Sequence, residues 1–235
     1  MFGFYVDPLY IVLVLLPGIV LSGVASMMLK SAFSRYSRIA TRRGLTGAHA
    51  AERLLQQAGI TDVRVVRSQG FLSDHYNPMT RTLALSDEVY GSNSISAVGV
   101  ACHEAGHALQ HADAYGFLTL RSALVPTVNF GSGTSTILLT LGFVFHSQQM
   151  LAFGCALFAL VVLFQLITLP VEFDASARAK RLCVEAGICD EQERIGVSKV
   201  LNAAALTYVA AFVSSLLTLL YYLYRAGLLG GQSDD

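Results

Sequence analysis

Four long runs without a charged residue dominate the hydrophobic pattern of this chain. They cover residues 9–29, 122–145, 150–169 and 200–223. Each run has about the 20 residues that a helix needs to cross the hydrocarbon core of a bilayer, so the pattern predicts four transmembrane helices. Only the short segment from His146 to Gln149 separates the second run from the third. These two runs are therefore predicted to form a tight transmembrane hairpin.

Two polar segments, residues 30–121 and 170–199, lie between the apolar runs, and their basic residues predict the orientation of the chain. Lys and Arg cluster in both segments close to the end of a predicted span. Because basic residues mark the cytoplasmic side, we expect a multi-pass protein of the inner (plasma) membrane with both polar segments in the cytoplasm. The C-terminal tail with Asp234 and Asp235 would lie outside. Arg225 is the one basic residue that disagrees with this orientation.

The composition supports a membrane protein and excludes other classes. Charged residues make up 14% of the chain and the mean hydropathy is +0.54, whereas soluble domains carry about 25% charged residues. The 16 basic and 16 acidic residues give a net charge of zero, so a nucleic-acid-binding protein is not expected. The four cysteines form no C-x-x-C pair, which indicates neither a disulfide framework nor a cysteine zinc site.

The first polar segment carries the signals of a small α+β unit. Ser and Thr at predicted N-caps begin two helices, and short runs rich in Val, Thr and Leu predict two strands with a turn between them. The predicted elements are a helix from Thr46 to Ala58, strands at 63–66 and 80–85, a turn at Asn77-Pro78, and a helix from Ser94 to Gln110.

Residues 103–107 read His-Glu-Ala-Gly-His, within the second of these predicted helices. Residues four apart share one helix face, so His103 and His107 can bind one metal ion from the same side. In the H-E-x-x-H pattern the two histidines hold zinc, and the glutamate, here Glu104, is the general base that takes a proton from the attacking water. The motif therefore predicts a zinc-dependent hydrolase.

A catalytic zinc site needs a third protein ligand and one open position, and two acidic residues are candidates. Asp113 lies six residues after His107, like the last ligand of the metzincin pattern, but that pattern needs a glycine where this chain has Gln110. Glu172 follows the third apolar run, on the side of the membrane predicted for the motif. A glutamate at a membrane boundary needs a partner, and metal ligation supplies one, so Glu172 is the favoured ligand.

Several segments resemble the bacterial neutral zinc metallopeptidases of the YugP type, over nearly the whole chain. These segments are 73–78, 85–90, His103-Glu-Ala-Gly-His-Ala-Leu-Gln110, Leu169-Pro-Val-Glu-Phe-Asp-Ala-Ser176 and 201–208. More distantly, the chain is similar to HtpX-like membrane peptidases and CAAX prenyl endopeptidases, in which a zinc helix and a transmembrane hairpin precede a Glu-x-x-x-Asp ligand helix. The resemblance implies that Glu172 binds zinc. Ser176 stands where the wider pattern has an acidic residue, so Asp174 or another group would have to orient a histidine.

The predicted fold is a mainly α membrane protein, with four transmembrane helices and a small zincin-like α+β catalytic portion on the cytoplasmic side. The resemblance also implies proteolysis at the cytoplasmic face of the membrane, with zinc as the cofactor and a polypeptide as the substrate. We expect that substrate to be membrane-associated or unfolded. The strand at 80–85 could pair with an extended peptide, because sheet edges commonly bind peptides in this way.

Other polar residues are candidates for stabilising the transition state. His75, in a predicted loop, could donate a hydrogen bond to the oxyanion of the tetrahedral intermediate, or it could be a surface histidine. Asn202 and Tyr208, near the start of the fourth run, could donate instead, although interfacial tyrosines are common. His111 lies one further turn beyond His107 and is expected to be structural or to support a ligand.

Three functions are compatible with these observations. The leading one is a zinc endopeptidase acting near the cytoplasmic surface. A second is intramembrane cleavage, which requires the zinc helix to lie within a span, but only the eight residues 95–102 before His103 are mostly apolar. A third is a non-catalytic membrane scaffold or chaperone partner with a structural zinc. Such sites are closed by four protein ligands, so Asp113 or His75 on the metal would favour this third reading.

Overall fold

The structure is a computed structural model that describes residues 7–70 and 73–229, so the predicted tail at Asp234 and Asp235 lies outside the described residues. In chain order the elements are α1 (Pro8–Tyr36), α2 (Gly47–Gln57), β1 (Arg64–Ser68), β2 (His75–Asn77), β3 (Thr82–Ser86), α3 (Asp87–Tyr90), α4 (Ile95–Ala112), α5 (Gly116–Val144), α6 (Gln148–Glu185) and α7 (Glu191–Arg225). The fold is mainly helical, as the hydrophobic pattern predicts.

The described chain divides into two compact units. The unit that carries the H-E-x-x-H segment, called the motif unit, comprises residues 25–119 and 170–206. The other, called the apolar unit, comprises residues 7–24, 120–169 and 207–229. The long helices α1, α5, α6 and α7 each contribute residues to both units.

The core of the motif unit forms where helices pack on one face of a three-stranded sheet. Helix α4, which contains the H-E-x-x-H segment, is buried along most of its length. It packs with α2 and with the side chains of β3 that point into the core. Thr46 caps α2 through a hydrogen bond from His49 N, and Ser94 caps α4 through one from Ala97 N. Both caps satisfy backbone donors that a helix start leaves unpaired, and both confirm the helix starts predicted from the sequence.

The sheet corrects two predictions. Its strand order is β1-β3-β2, with β1 parallel and β2 antiparallel to β3. The predicted strand at 80–85 is therefore the central strand β3, paired on both sides, and the prediction that it offers an edge to a peptide is wrong. The edges are β1 and β2. The predicted loop around His75 is also wrong, because residues 75–77 form β2, which ends where Asn77 accepts hydrogen bonds from the turn at Met79 and Thr80.

Three of the described helices are long and apolar enough to cross a membrane: α1, α6 and α7. The second predicted run forms helix α5, but its middle, residues 129–136, is mainly Asn, Gly, Ser and Thr, which lowers its hydropathy. A fourth transmembrane helix and the cytoplasmic orientation therefore stay predictions.

The apolar unit contains the predicted hairpin turn. It also contains Arg225, the basic residue that disagrees with the predicted orientation. Three residues, 145–147, join α5 to α6. The two helices approach closely there, since a Cβ on Gly142 would lie 2.9 Å from the Leu151 side chain. Arg225 lies 3.1 Å from the carboxylate of Asp7, which also accepts a hydrogen bond of 2.7 Å from Tyr221. Asp7 thus neutralises the basic residue that disagreed with the charge bias.

Candidate metal centre

Helix α4, called the motif helix because it carries the H-E-x-x-H segment, contacts helix α6, called the ligand helix because it carries Glu172. The two helices meet at small residues. Gly106 lies within the H-E-x-x-H segment of α4, and a Cβ built on it would lie 2.8 Å from the backbone oxygen of Ala175 in α6. No side chain fits between the two backbones, so the helices lie unusually close together. Val171, Ala175 and Ala179 are fully buried on the facing side of α6. This close approach carries Glu172 to the two histidines.

The three candidate ligands converge on one point. One ligand atom from each of His103, His107 and Glu172 lies within 4.8 Å of the others. The Oε2 atom of Glu172 is 3.3 Å from His103 Nε2 and 3.7 Å from His107 Nε2. Nothing else in the described chain forms such a group of three His, Cys, Asp or Glu side chains. Asp113, the alternative third ligand, is not part of it.

These distances fit a metal site better than an ordinary hydrogen-bonded pair. A charge-assisted N–H···O bond is usually about 2.7–2.9 Å long, shorter than both contacts of Glu172. Around a tetrahedral zinc ion with bonds of about 2.0–2.1 Å, neighbouring ligand atoms lie about 3.3–3.4 Å apart. The contact of 3.3 Å matches that spacing and the contact of 3.7 Å lies close to it. Two imidazoles and a carboxylate also suit zinc chemically, so the residues present fit the ion.

Burial and charge favour a cation at this point. The side chain of Glu172 is 3% exposed and that of His107 is 9% exposed. Burial by itself lowers the pKa of His107, but the contact with Glu172 and the charges of Glu104 and Glu172 outweigh it and raise that pKa above its ordinary value. A buried carboxylate needs a compensating positive charge. Either an imidazolium or a bound metal ion would supply it.

Both histidines have a partner for their second ring nitrogen. His103 Nδ1 lies 3.2 Å from the Ser176 hydroxyl, and His107 Nδ1 lies 2.9 Å from Gln110 Oε1. These contacts leave both Nε2 atoms facing Glu172, as metal-binding histidines require. The question raised by the resemblance therefore has a structural answer, because Ser176 itself reaches one histidine and Gln110 reaches the other. In the sequence, Gln110 is distinctive only because it occupies the place of the glycine in the metzincin pattern.

Glu104 lies beside the candidate ligands without joining them. It is buried, at 8% exposure, and its charge acts on His107 one turn further along α4. A carboxylate next to the metal position, but not on it, is what a general base requires.

The other candidates from the sequence have partners elsewhere. Asp113 forms an ion pair with Arg178. His75 is exposed, and its Nδ1 lies 2.8 Å from the backbone oxygen of Ser73. Asn202 accepts a hydrogen bond of 3.0 Å from Lys180, and Tyr208 belongs to the apolar unit.

The direction of His75 follows from strand alternation. The next residue in β2, Tyr76, packs against the core of the motif unit, and its hydroxyl lies 2.8 Å from His111 Nδ1. Successive side chains of a strand point to opposite faces. His75 therefore points away from the helix-covered face, and its catalytic role stays a prediction. His111 supports β2 in this arrangement.

Comparison with known proteins agrees with the site. The chain matches the family described as "Putative neutral zinc metallopeptidase" over residues 11–227. It is 48% identical over 202 residues to "Putative membrane protease YugP" of Bacillus subtilis (strain 168), covering 86% of this chain and 90% of that protein. No solved structure matches the chain. The chain belongs to this zinc metallopeptidase family.

Proposed function

We propose that this protein is a zinc endopeptidase of the inner membrane, cutting peptide bonds of membrane-associated or unfolded polypeptides at the cytoplasmic face. The observation that carries the proposal is the convergence of His103, His107 and Glu172 on one point, with ligand atoms within 4.8 Å. Membership of the metallopeptidase family supports zinc and proteolysis. The endopeptidase mechanism, the orientation and the substrate class are our additions.

His103, His107 and Glu172 would hold the ion through two Nε2 atoms and one carboxylate oxygen. Zinc bound there would supply Lewis acidity that activates a water molecule and polarises the scissile carbonyl. The Glu104 carboxylate would accept the proton of the attacking water and pass it to the leaving amine. Because Glu104 is 8% exposed, bulk water competes little for its proton.

The oxyanion of the tetrahedral intermediate would also need a hydrogen-bond donor. The sequence predicts His75 for this role. The backbone oxygen of Ser73 can only accept a hydrogen bond, so His75 Nδ1 must carry a proton. A neutral His75 then has no proton left on Nε2 for an oxyanion. It could donate only in its doubly protonated form.

The number of candidate ligands distinguishes the proposed catalytic zinc site from a structural one. A structural site would have a fourth protein ligand, and Asp113 and His75 were the residues expected to supply it. Within the described chain Asp113 pairs with Arg178 and His75 with Ser73, and the ligand group has three members. This leaves one position for water or substrate and favours catalysis over a scaffold.

The position of the motif helix bears on intramembrane cleavage. That reaction requires α4 to lie within a transmembrane span. Among the described helices, α1, α6 and α7 have the length and apolar character of a span, and α4 is not one of them. Instead α4 packs with α2 and the sheet in the motif unit. Cleavage would therefore take place outside the hydrocarbon core.

The decisive experiment replaces Glu104 by Gln in the full chain, purified in detergent. We expect the Glu104→Gln variant to bind one zinc ion like the wild type but to lose cleavage of an unfolded polypeptide, because Gln cannot accept the proton. Glu52→Gln makes the same change at an exposed site of α2 and should cleave normally. Undiminished cleavage by the Glu104→Gln protein would disprove the mechanism. Comparing membrane proteomes of cells carrying each form would identify substrates.

A further inference from the structure

A fully buried glutamine joins the motif helix to the ligand helix. Gln110 is 0% exposed, and it lies one turn after His107 in α4. Its side chain makes three hydrogen bonds: to His107 Nδ1 at 2.9 Å, to the backbone oxygen of Val171 at 2.8 Å and to the Asp174 carboxylate at 2.8 Å. A buried amide with every contact this short holds its partners in fixed positions.

The partners determine which way the amide faces. A backbone carbonyl and a carboxylate can only accept hydrogen bonds, so the Nε2 group of Gln110 must point to Val171 and Asp174. The Oε1 atom then faces His107 and can only accept. His107 Nδ1 must therefore carry a proton and donate it. In the neutral ring this leaves Nε2 as the atom with a free lone pair, and Nε2 is the atom that faces Glu172.

We propose that Gln110 is a positioning residue, which fixes the tautomer and the direction of His107 and thereby sets the affinity of the site for zinc. The inference rests on the proposed function only for the identity of the ion. Nothing in the H-E-x-x-H motif requires a glutamine at this place. Asp174, which the resemblance suggested as a group that orients a histidine, reaches His107 only through the amide of Gln110.

A short chain of contacts holds Gln110 in turn. The Asp174 oxygen that accepts from Gln110 also accepts from Arg178 Nε at 2.7 Å. Arg178 forms its second ion pair with Asp113, the C-cap residue that follows α4. The contacts thus run from His107 and Gln110 of α4 to Asp174 and Arg178 of α6, and return to Asp113 at the end of α4. Each histidine-bearing turn of α4 is fixed against the helix that carries Glu172.

The test is the zinc affinity of a Gln110→Met variant, which keeps the length of the side chain and removes all three hydrogen bonds. Competition with a chelating dye measures the dissociation constant for zinc in the purified full chain. We expect affinity to fall about 10–100-fold, the usual effect of removing a partner of a ligating histidine. The absorption spectrum of the cobalt-substituted protein should also change, because His107 is no longer held in one orientation. Gln165→Met is the matched control, since its Oε1 makes no hydrogen bond in the described structure.

Zinc affinity separates this inference from the proposed function. A wild-type chain that binds no zinc would refute both. If the wild type binds zinc and the Gln110→Met protein keeps its affinity within twofold with an unchanged cobalt spectrum, the positioning role is refuted while the metal site stands. Should the Gln110→Met protein fail to fold, Asp174→Asn carries the test. Its weaker acceptor should lower zinc affinity severalfold, and an unchanged affinity would overturn the inference.

Discussion

Gly106 is the position where one added methyl group should separate the two halves of the metal site. A Cβ there would lie 2.8 Å from the backbone oxygen of Ala175, whereas ordinary contacts begin near 3.4 Å. A backbone oxygen inside a helix cannot rotate away. The Gly106→Ala variant must therefore push α4 and α6 apart by about 0.6 Å, the difference between these two distances.

This displacement is large for a metal site and modest for a protein core. Zinc–ligand distances tolerate changes of about 0.2 Å, so a shift of this size strains the bond to Glu172 or breaks it. We expect zinc affinity to fall at least tenfold, which corresponds to about 1.4 kcal/mol. Overpacking costs about 1–3 kcal/mol, but alanine favours the helix by about 1 kcal/mol over glycine. The metal-free variant should therefore be destabilised by only about 0–2 kcal/mol.

The assay compares melting temperatures with and without zinc, using a thiol-reactive dye. All four cysteines are buried, so unfolding exposes them to the dye. Zinc should raise the melting temperature of the wild type much more than that of the Gly106→Ala protein. Gly99→Ala in the same helix has its tightest contact, 3.2 Å, with a methyl group of Val197 and meets no backbone oxygen, and Gly116→Ala meets nothing within 4 Å. Both controls should keep zinc affinity. If Gly106→Ala binds zinc as they do, the close approach of the helices is not what forms the site.

Three further predictions concern the motif unit. Ala114, just after α4, has a φ of +50°, a conformation that glycine adopts more easily than alanine. Ala114→Gly should therefore stabilise the fold by about 1 kcal/mol, as measured in thermal melts. The control Ala112→Gly, within the helix, should destabilise the fold. Since His75 faces away from α4, His75→Ala should keep zinc affinity and lower kcat less than tenfold; a loss of about a hundredfold would instead support an oxyanion role. Burial raises the pKa of Asp74 despite hydrogen bonds from Ser86, so this carboxyl favours folding at low pH and that contribution is lost as pH rises through the raised pKa. Asp74→Asn should therefore melt higher than the wild type at pH 7, measured by circular dichroism, with the difference disappearing towards pH 4.

Helical periodicity and hydropathy were sufficient to predict the residues that the structure brings together. The spacing of His103 and His107 places both on one face of any helix, so no tertiary information is needed. Glu172 is predicted from the membrane topology instead, because the predicted hairpin places it on the same side of the membrane as the H-E-x-x-H motif. In the structure its carboxylate lies 3.3 Å from His103. Residue spacing and the order of the apolar runs are properties of the sequence, so both can be interpreted without knowledge of the tertiary packing.

The contributions of β2 and Gln110 could not be predicted, for physical reasons. β2 is three residues long and is followed by Pro78, so it is too short to show the alternation by which strands are identified. Its pairing with β3 supplies the missing stabilisation. Gln110 belongs to no metal-binding pattern, since an amide acts through partners distant in sequence. Its contact with Asp174 spans 64 positions, and only the packing of the two helices creates it.

Small residues explain why the long helix α6 can serve as a ligand helix. Helices with ordinary side chains between them pack about 8–10 Å apart. A Cβ on Gly106 would lie 2.8 Å from the backbone oxygen of Ala175, so α4 and α6 approach more closely here than such a side chain would allow. Gly106 and Ala175 remove the intervening side chains. The helix continues through Pro170 without a break, so the position of Glu172 on its face is fixed relative to Ala175 by one turn. The ligand residues therefore define the chemistry of the proposed site, while the small residues beside them set the separation of the two helices that carry these ligands.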